Sequence, residues 1–248
     1  MGGSFIFLSG PSGVGKGPLM KAVKREITKQ KLNINLKGIT LYSCRAMRAG
    51  EKEGDPYHFM TREQIESFKN QDNFIVFPVR KDLQAIDLND IKKITSEPDA
   101  VGFLETFHTA VNELSGSSYL KGVDIRTVFM SPLSSDDIYS MKFPKEVEKA
   151  FYDLIREKVI NRFYRKNGAL SLVSLRDAET RASTAFKEMC SACGYHYIIV
   201  NHDGEDSPNW GVNRAFGDAG RAVKSMLQIL QGVEKPDYVV QWRHELFR

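Results

Sequence analysis

A glycine-rich segment near the N-terminus has the residue types and spacing that bind phosphate. Residues 5–16 read FIFLSGPSGVGK, and Gly10, Gly15 and Lys16 match the phosphate-loop pattern G-x-x-x-x-G-K. Such glycines let backbone amides converge on an anion, while the lysine reaches the outer phosphates. The pattern continues with Ser or Thr, a ligand of Mg²⁺, but this chain has Gly17. We predict a nucleoside triphosphate site without that hydroxyl, formed by Gly10, Pro11, Ser12, Gly13, Val14, Gly15, Lys16 and Gly17.

A charged segment downstream carries groups that can hold a second phosphate. Arg45 and Arg48 are three residues apart, and Glu51 and Tyr57 follow them. Two guanidinium groups can bind one phosphate through paired hydrogen bonds, and a tyrosine hydroxyl adds a further donor. We therefore predict that these four residues bind the phosphate of an acceptor. The alternative reading of the segment is a solvated charged loop.

Apolar runs and helical patterns alternate along the chain and would position both segments. We predict strands at residues 5–8, 74–77, 99–105, 127–130 and 197–200. The helical patterns lie at about 17–31, 88–94, 146–164, 176–193 and 213–230. This alternation predicts an α/β fold in which helices flank a parallel sheet.

Composition limits the class of protein. The 248 residues carry a formal net charge of +4, which suits a small anionic substrate and does not call for nucleic acid. No apolar run is long enough to span a bilayer, and the N-terminus does not resemble a signal peptide. Three cysteines are too few for a disulfide scaffold. We expect a cytoplasmic protein with no membrane partner.

The two phosphate segments together resemble the guanylate kinase family. The resemblance lies in GPSGVGK and in the spacing R45-x-x-R48-x-G50-E51-x-x-G54-x-x-Y57-x-F59. It implies a P-loop NTPase-type fold with inserted acceptor-binding and helical lid lobes. It also implies ATP and Mg²⁺ as cofactors and a nucleoside monophosphate as partner. The implied division is a core (4–39, 98–160 and 182–231), an acceptor-binding lobe (40–97), a lid (161–181) and a C-terminal tail (232–248).

The resemblance extends to further site residues. Glu105 ends a predicted strand where the family has an aspartate, and we assign it to the metal. Arg162, Arg165 and Arg181 fall in the lid, where catalytic cations approach the transferred phosphoryl group. Asn201 follows the strand YIIV, near the adenine of the donor. The oligomeric state stays open between a monomer and a homodimer.

Departures from the family pattern leave the identity of the acceptor base undetermined. Val76, Ala85 and Asp87 stand where the family has a glutamate, a tyrosine and a hydroxyl residue. GMP or dGMP is the leading acceptor. One alternative is a kinase for another phosphorylated acceptor, such as a ribose bisphosphate or a different nucleotide. Another is a non-catalytic guanylate-kinase-like binding module. The acidic run 203–206 and the tail have no predicted role.

Overall fold

The computed structural model describes residues 3–47, 51–115, 117–141 and 143–247. Its internal contacts divide the chain into two compact units. The first unit comprises Met1–Phe7 and Ile34–Arg126, and the second comprises Leu8–Asn33 and Thr127–Arg248. None of the helices formed by the described residues is both long and apolar enough to cross a membrane.

Strands and helices alternate through both units, as the sequence pattern predicts. In chain order the elements are β1 (Ser4–Ser9), α1 (Lys16–Lys29), β2 (Asn35–Gly38), β3 (Leu41–Ser43), β4 (Lys52–Glu53), β5 (Pro56–Phe59), α2 (Arg62–Ser67), β6 (Phe74–Val79), β7 (Asp82–Asp87), α3 (Leu88–Thr95), β8 (Ala100–Glu105), α4 (His108–Ser115), β9 (Asp124–Ser131), α5 (Ser135–Tyr139), α6 (Pro144–Asn167), α7 (Leu172–Cys190), β10 (Tyr197–Val200), α8 (Gly217–Leu230) and β11 (Val239–Val240).

Two strands of the first unit, β2 and β8, form a parallel pair. Strand β2 runs parallel to β8, with Asn35 opposite Ala100. All residues of β1 are buried, as expected for a strand covered on both faces. A side chain at Gly102 would collide with the ring of Phe5. Glycine is therefore required at this position of β8.

A second sheet in the first unit has the order β4-β5-β3-β7-β6. Strands β6 and β7 form an antiparallel hairpin that turns at Arg80 and Lys81. Arg80 has a φ of 56°, which is the left-handed conformation that two-residue hairpin turns require. Strands β3, β4 and β5 lie in the segment that the sequence marks only as charged and rich in turns. They are short, and sheet pairing stabilises them more than local preference does.

The second unit contains a further group of paired strands and the long helices α6 and α7. Strand β10 pairs in parallel with β9 and antiparallel with β11 of the tail. Trp242 and Leu246 are both 6% exposed, so the tail docks on its own unit. The predicted lid limits at residues 161 and 181 fall inside the continuous helices α6 and α7. These two helices pack against each other, and Tyr152 and Arg156 both bond to Glu179.

Candidate active site

The glycine-rich loop between β1 and α1 has the geometry of an anion cradle. Gly10, Gly13 and Gly15 have φ values of 142°, 78° and 103°, which residues with a Cβ rarely adopt. Lys16 begins α1, and its Nζ donates to the carbonyls of Gly10 at 2.7 Å and Pro11 at 3.1 Å. The lysine therefore arches back over the loop. The N-terminus of α1 adds a partial positive charge beside it.

The segment that follows β10 supports this loop. The Asn201 side chain donates to the Val14 carbonyl at 2.7 Å, and the Glu205 backbone N–H donates to the Gly13 carbonyl at 2.8 Å. A Cβ on Gly15 would lie 2.6 Å from the Trp210 ring. Asn201 is 0% exposed. Its side chain holds the backbone of the loop, and its place near the adenine of the donor stays a prediction.

Three cations on one face of α6 contact the segment after β10. Arg162 Nη1 lies 3.3 Å from Glu205 Oε2, and Arg165 Nη1 donates to the Asp206 carbonyl at 2.9 Å. Lys158 Nζ donates to the His202 carbonyl at 3.3 Å. These contacts give partners to the acidic segment (residues 203–206), which the sequence leaves unexplained.

Sequence reasoning missed Lys158. Its side chain would lie 2.9 Å from a Cβ on Gly13, so it packs against the phosphate loop. Burial lowers the pKa of Lys158 below its usual value. Its position, four residues before Arg162 on a helix, is the signal that could have identified it.

Arg181 of α7 contacts the phosphate loop directly. Its Nη1 donates to Ser12 Oγ at 2.9 Å, and its Nε donates to Asp177 Oδ2 at 2.8 Å. The side chain of Arg181 is only 12% exposed. The structure thus brings one of the three predicted lid arginines onto the loop and places the other two on the acidic segment.

His202 joins two helices beside the acidic segment. Its Nδ1 lies 2.5 Å from Asp218 Oδ2 in α8, and its Nε2 lies 2.8 Å from Asp137 Oδ2 in α5. Both ring nitrogens face carboxylates, so the protonated ring satisfies the geometry. Burial opposes the charge, but the bonds to Asp137 and Asp218 raise the pKa of His202 above its usual value. Although burial acts in the opposite direction, hydrogen bonds lower the pKa of each of the two aspartates.

In the first unit, Arg45 is fixed by an acid and two rings. Its Nη1 and Nη2 donate to the two oxygens of Glu51 at 2.8 and 2.6 Å. The guanidinium carbon lies 4.7 Å from the centroid of the Tyr57 ring and 5.3 Å from that of Phe59. Hydrogen bonding to Glu51 raises the pKa of Arg45. Arg45, Glu51 and Tyr57 thus come together as predicted, whereas Arg48 lies outside the described residues.

The residues at the predicted base-reading positions serve the packing of the first unit. Val76 lies opposite Ala85 in the hairpin, and both belong to an apolar cluster around Ile65. The Asp87 carboxylate caps α3 by accepting from the Asn89 N–H at 2.9 Å. Val76 and Ala85 therefore offer no polar group for a base, and Asp87 Oδ1 accepts bonds within the first unit.

The few acidic groups near the predicted metal position fit a Mg²⁺ ion that is held mainly by phosphate oxygens and water. Among the described residues, no group of three or more His, Cys, Asp or Glu side chains could hold a metal. Mg²⁺ commonly has few protein ligands in nucleotide sites. A Cβ on Gly17 would have no neighbour within 4 Å, which leaves room there for water. Glu105 is exposed at the end of β8.

Known proteins match the chain along most of its length. The guanylate kinase of Baumannia cicadellinicola subsp. Homalodisca coagulata is 26% identical over 205 residues, covering 79% of this chain and 81% of the relative. The guanylate kinase of Clostridium perfringens (strain 13 / Type A) is 25% identical over 207 residues, covering 83% and 79%.

A solved structure shares the fold. The crystal structure of guanylate kinase from Anaplasma phagocytophilum matches with a TM-score of 0.53 at 15% identity, covering 96% of this chain and 90% of that one. This likeness supports the P-loop α/β fold that the sequence predicts. The family model for guanylate kinase matches residues 3–148. Since that match spans more than half of the 248 residues, the chain belongs to the guanylate kinase family.

Proposed function

We propose that the chain is an ATP-dependent nucleoside monophosphate kinase, with GMP or dGMP as the leading acceptor and the diphosphate as product. The observation that carries this proposal is the phosphate loop of a guanylate kinase family member, with Lys16 bent over it and Arg181 bonded to Ser12. Phosphoryl transfer depends on positioning and charge neutralisation more than on covalent chemistry by the protein. Lys16 at the end of the loop and Arg181, which bonds to the loop from α7, supply both.

On the donor side, the loop amides and Lys16 bind the β- and γ-phosphates. Arg181 neutralises charge on the transferred group, and Arg162 and Arg165 join it when ATP attracts them from the acidic segment. Asn201 contributes by holding the loop. Mg²⁺ bound to the triphosphate would supply further charge neutralisation, and Glu105 is the acid assigned to it. Residues 161–181 act as the lid in this scheme.

On the acceptor side, residues 40–97 form the lobe that holds the monophosphate. Arg45, Arg48 and Tyr57 bind its phosphate, and Glu51 orients the Arg45 guanidinium. A guanidinium fork held by a carboxylate on one edge keeps its remaining N–H groups in a fixed plane. A guanidinium held in one plane can bind two phosphate oxygens at once, which a freely rotating lysine ammonium does less well.

A coupled assay of ADP release across a panel of nucleoside monophosphates tests the function. We expect turnover with GMP or dGMP, and we expect Lys16→Ala to remove it while the fold remains intact by circular dichroism. Turnover with only a different phosphorylated acceptor would support the alternative kinase. Binding of ligands without any turnover would support the non-catalytic module, for which the missing hydroxyl at Gly17 is the motivating observation.

A further inference from the structure

A surface cleft in the second unit lies between the C-terminal end of α1 and helix α8. Its volume is about 720 Å³, and its lining includes Glu26 and Lys29 of α1 together with Arg221 and Lys224 of α8. Ligand pockets commonly have volumes of roughly 300–1,000 Å³. At a rise of about 1.5 Å per residue, Glu26 lies about 15 Å along α1 from Lys16. This α1–α8 cleft is therefore separate from the phosphate loop.

The lining of the α1–α8 cleft is cationic. Among the described residues that line it, Glu26 is the one acid, and four residues are basic. The basic residues are Lys29, Arg214, Arg221 and Lys224. Arg221 is paired with Asp218, and Lys224 is paired with Asp237 at 2.8 Å. When these two pairs are counted as neutral, the two remaining cations still outweigh Glu26, so the cleft complements an anion.

An aromatic ring stands beside a cation at the start of α8. Phe216 is 58% exposed, and the guanidinium carbon of Arg214 lies 5.9 Å from the centroid of its ring. The backbone before this ring is held by Arg25 of α1, whose Nη1 donates to the carbonyls of Gly211 and Val212 at 2.8 and 2.6 Å. The Phe216 ring is thus presented to solvent by a segment that α1 holds in place.

A second ring stands beside a cation farther along α8. Tyr238 is 55% exposed, and Lys224 Nζ lies 5.5 Å from the centroid of its ring. Tyr238 has a φ of 56°, which is uncommon for an aromatic residue. Asp237 beside it is bound to α8, because its carbonyl accepts from Ser225 Oγ at 2.6 Å and its N–H donates to Gln228 Oε1 at 2.7 Å. Backbone in such conformations is frequent at ligand sites.

These features favour a planar, phosphorylated ligand over a peptide. The aliphatic lining residues Val223 and Leu227 are buried, so the cleft lacks exposed aliphatic pockets for the apolar side chains of an amphipathic helix. An exposed ring can stack on the flat face of a base, and neighbouring cations can bind phosphate. Phe216 and Lys224 are about 12 Å apart along α8, a span that a nucleoside with two or three phosphates can bridge.

We propose that the α1–α8 cleft is a second nucleotide-binding site, which takes a nucleoside diphosphate or triphosphate. The base stacks on Phe216, and the phosphates bind Arg221 and Lys224, which lie three residues apart on one side of α8. Surface ion pairs contribute little to stability, so phosphate can replace Asp218 and Asp237 as their partner. The site does not depend on the proposed kinase function, because its lining contains no residue assigned to phosphoryl transfer.

Calorimetric titration with ADP counts the sites. We expect two ADP molecules to bind per chain, one at the phosphate loop and one in the α1–α8 cleft. Phe216→Leu should weaken only the second of these sites, by about tenfold, because it removes the stacking surface and keeps an apolar side chain. Phe143→Leu removes a similarly exposed ring elsewhere in the second unit and is the matched control. A single ADP site per chain would overturn the proposal.

Charge reversal tests the phosphate contacts. The double substitution Arg221→Glu and Lys224→Glu should abolish ADP binding in the cleft and leave the phosphate-loop site unchanged. Arg243→Glu, at an exposed position of the tail, is the control for net charge. Lys224→Gln is a milder variant that should still weaken the cleft site about tenfold, and melting temperatures verify that each variant is folded. Unchanged cleft affinity in these variants would overturn the assignment.

Hydrogen exchange locates the second ADP molecule. We expect ADP to protect backbone amides within residues 211–224 as well as those of the phosphate loop, and Phe216→Leu should remove only the protection of 211–224. Protection confined to the phosphate loop would overturn the proposal. Protection of 211–224 by poly-glutamate and not by ADP would also overturn it, in favour of an acidic protein partner. Missing protection at the phosphate loop would instead contradict the kinase proposal, while the signal from 211–224 alone decides this one.

Discussion

Arginines in the two units are held in contrasting ways. In the first unit, Arg45 makes two short bonds to one carboxylate and lies over two aromatic rings. In the second, Arg162 lies 5.4 Å from the centroid of the Phe163 ring but has only a longer contact of 3.3 Å to Glu205. Arg165 bonds to a backbone carbonyl. A guanidinium with two short bonds to one carboxylate is fixed before a ligand arrives, whereas a guanidinium with a single long bond to its carboxylate can change partner. Arg45, the proposed acceptor arginine, is thus held in place before a ligand arrives, whereas Arg162 of the proposed lid is free to change its carboxylate partner.

The largest expected effect concerns the fixed arginine. Arg45→Ala should raise KM for the acceptor about 100-fold, because two charge-assisted bonds to phosphate are lost. Arg45→Lys should recover little of this, since an ammonium cannot reproduce the planar fork. Glu51→Gln should raise KM for the acceptor about tenfold, because Arg45 loses the carboxylate that orients its guanidinium. Initial-rate kinetics with both substrates varied measure these effects. An equal rise in KM for ATP would contradict the assignment of Arg45 to the acceptor.

Substitutions at Arg162 and at its partner Glu205 should affect kcat and KM for ATP and not KM for the acceptor. Arg162→Gln should lower kcat about 10- to 100-fold, because a cation that stabilises the transferred group is removed. Glu205→Gln should instead lower KM for ATP about two- to fivefold, because a competing partner for Arg162 is lost. Glu148→Gln, the same change at an exposed position of α6, is the matched control. If the Glu205→Gln effect persists when Arg162 is already replaced, exchange between Glu205 and ATP is the wrong explanation.

Replacing Gly17, in the second unit, by serine should increase activity when Mg²⁺ is limiting. The open space around a Cβ at this helical position means that Gly17→Ser fits without strain. We expect the hydroxyl to raise kcat several-fold at limiting Mg²⁺, and the helix to gain about 0.5 kcal/mol in stability. Gly17→Ala provides the helix gain without a hydroxyl, so it should stabilise the protein without the kinetic gain. Titration of activity with Mg²⁺ distinguishes the two variants, and equal kinetics would exclude a metal role for this position.

The smallest expected effect is a pH dependence from His202. Its pKa is raised in the folded protein, so its contribution to stability is present below the unfolded value and declines as pH rises through the folded value. The pKa values of Asp137 and Asp218 are lowered, so their contribution is lost as pH falls through those lowered values. The cluster should stabilise the fold most between about pH 4 and 6.5.

Replacement of this histidine measures that contribution. His202 is 47% exposed, so we expect His202→Asn to reduce the free energy of unfolding by less than about 1 kcal/mol near pH 5.5. The difference from the unsubstituted protein should shrink as the pH rises through the raised pKa of His202. Urea denaturation across this range gives both values. A difference that grows with pH would contradict the raised pKa.

Local sequence was sufficient to identify residues that lie close together along the chain and act together. Gly10, Gly15 and Lys16 lie within seven residues, and the turn they form needs only glycine and a following helix. Arg45, Glu51 and Tyr57 lie within one short segment, and the structure brings them together. The alternation of apolar runs with helical patterns was sufficient for the α/β fold class, because buried strands and amphipathic helices have different periods.

Tertiary structure alone decided which distant groups serve these local sites. Three sets of contacts join residues that are far apart in sequence. Arg162 contacts the acidic segment, Asn201 and Trp210 support the phosphate loop, and Arg181 bonds to Ser12. The sheet face on which Val76 lies could likewise not be predicted from the sequence, because a shift of one residue in strand register reverses every side chain. Residue types and spacing set the chemistry that each segment can perform. Packing and register determine which of those groups meet.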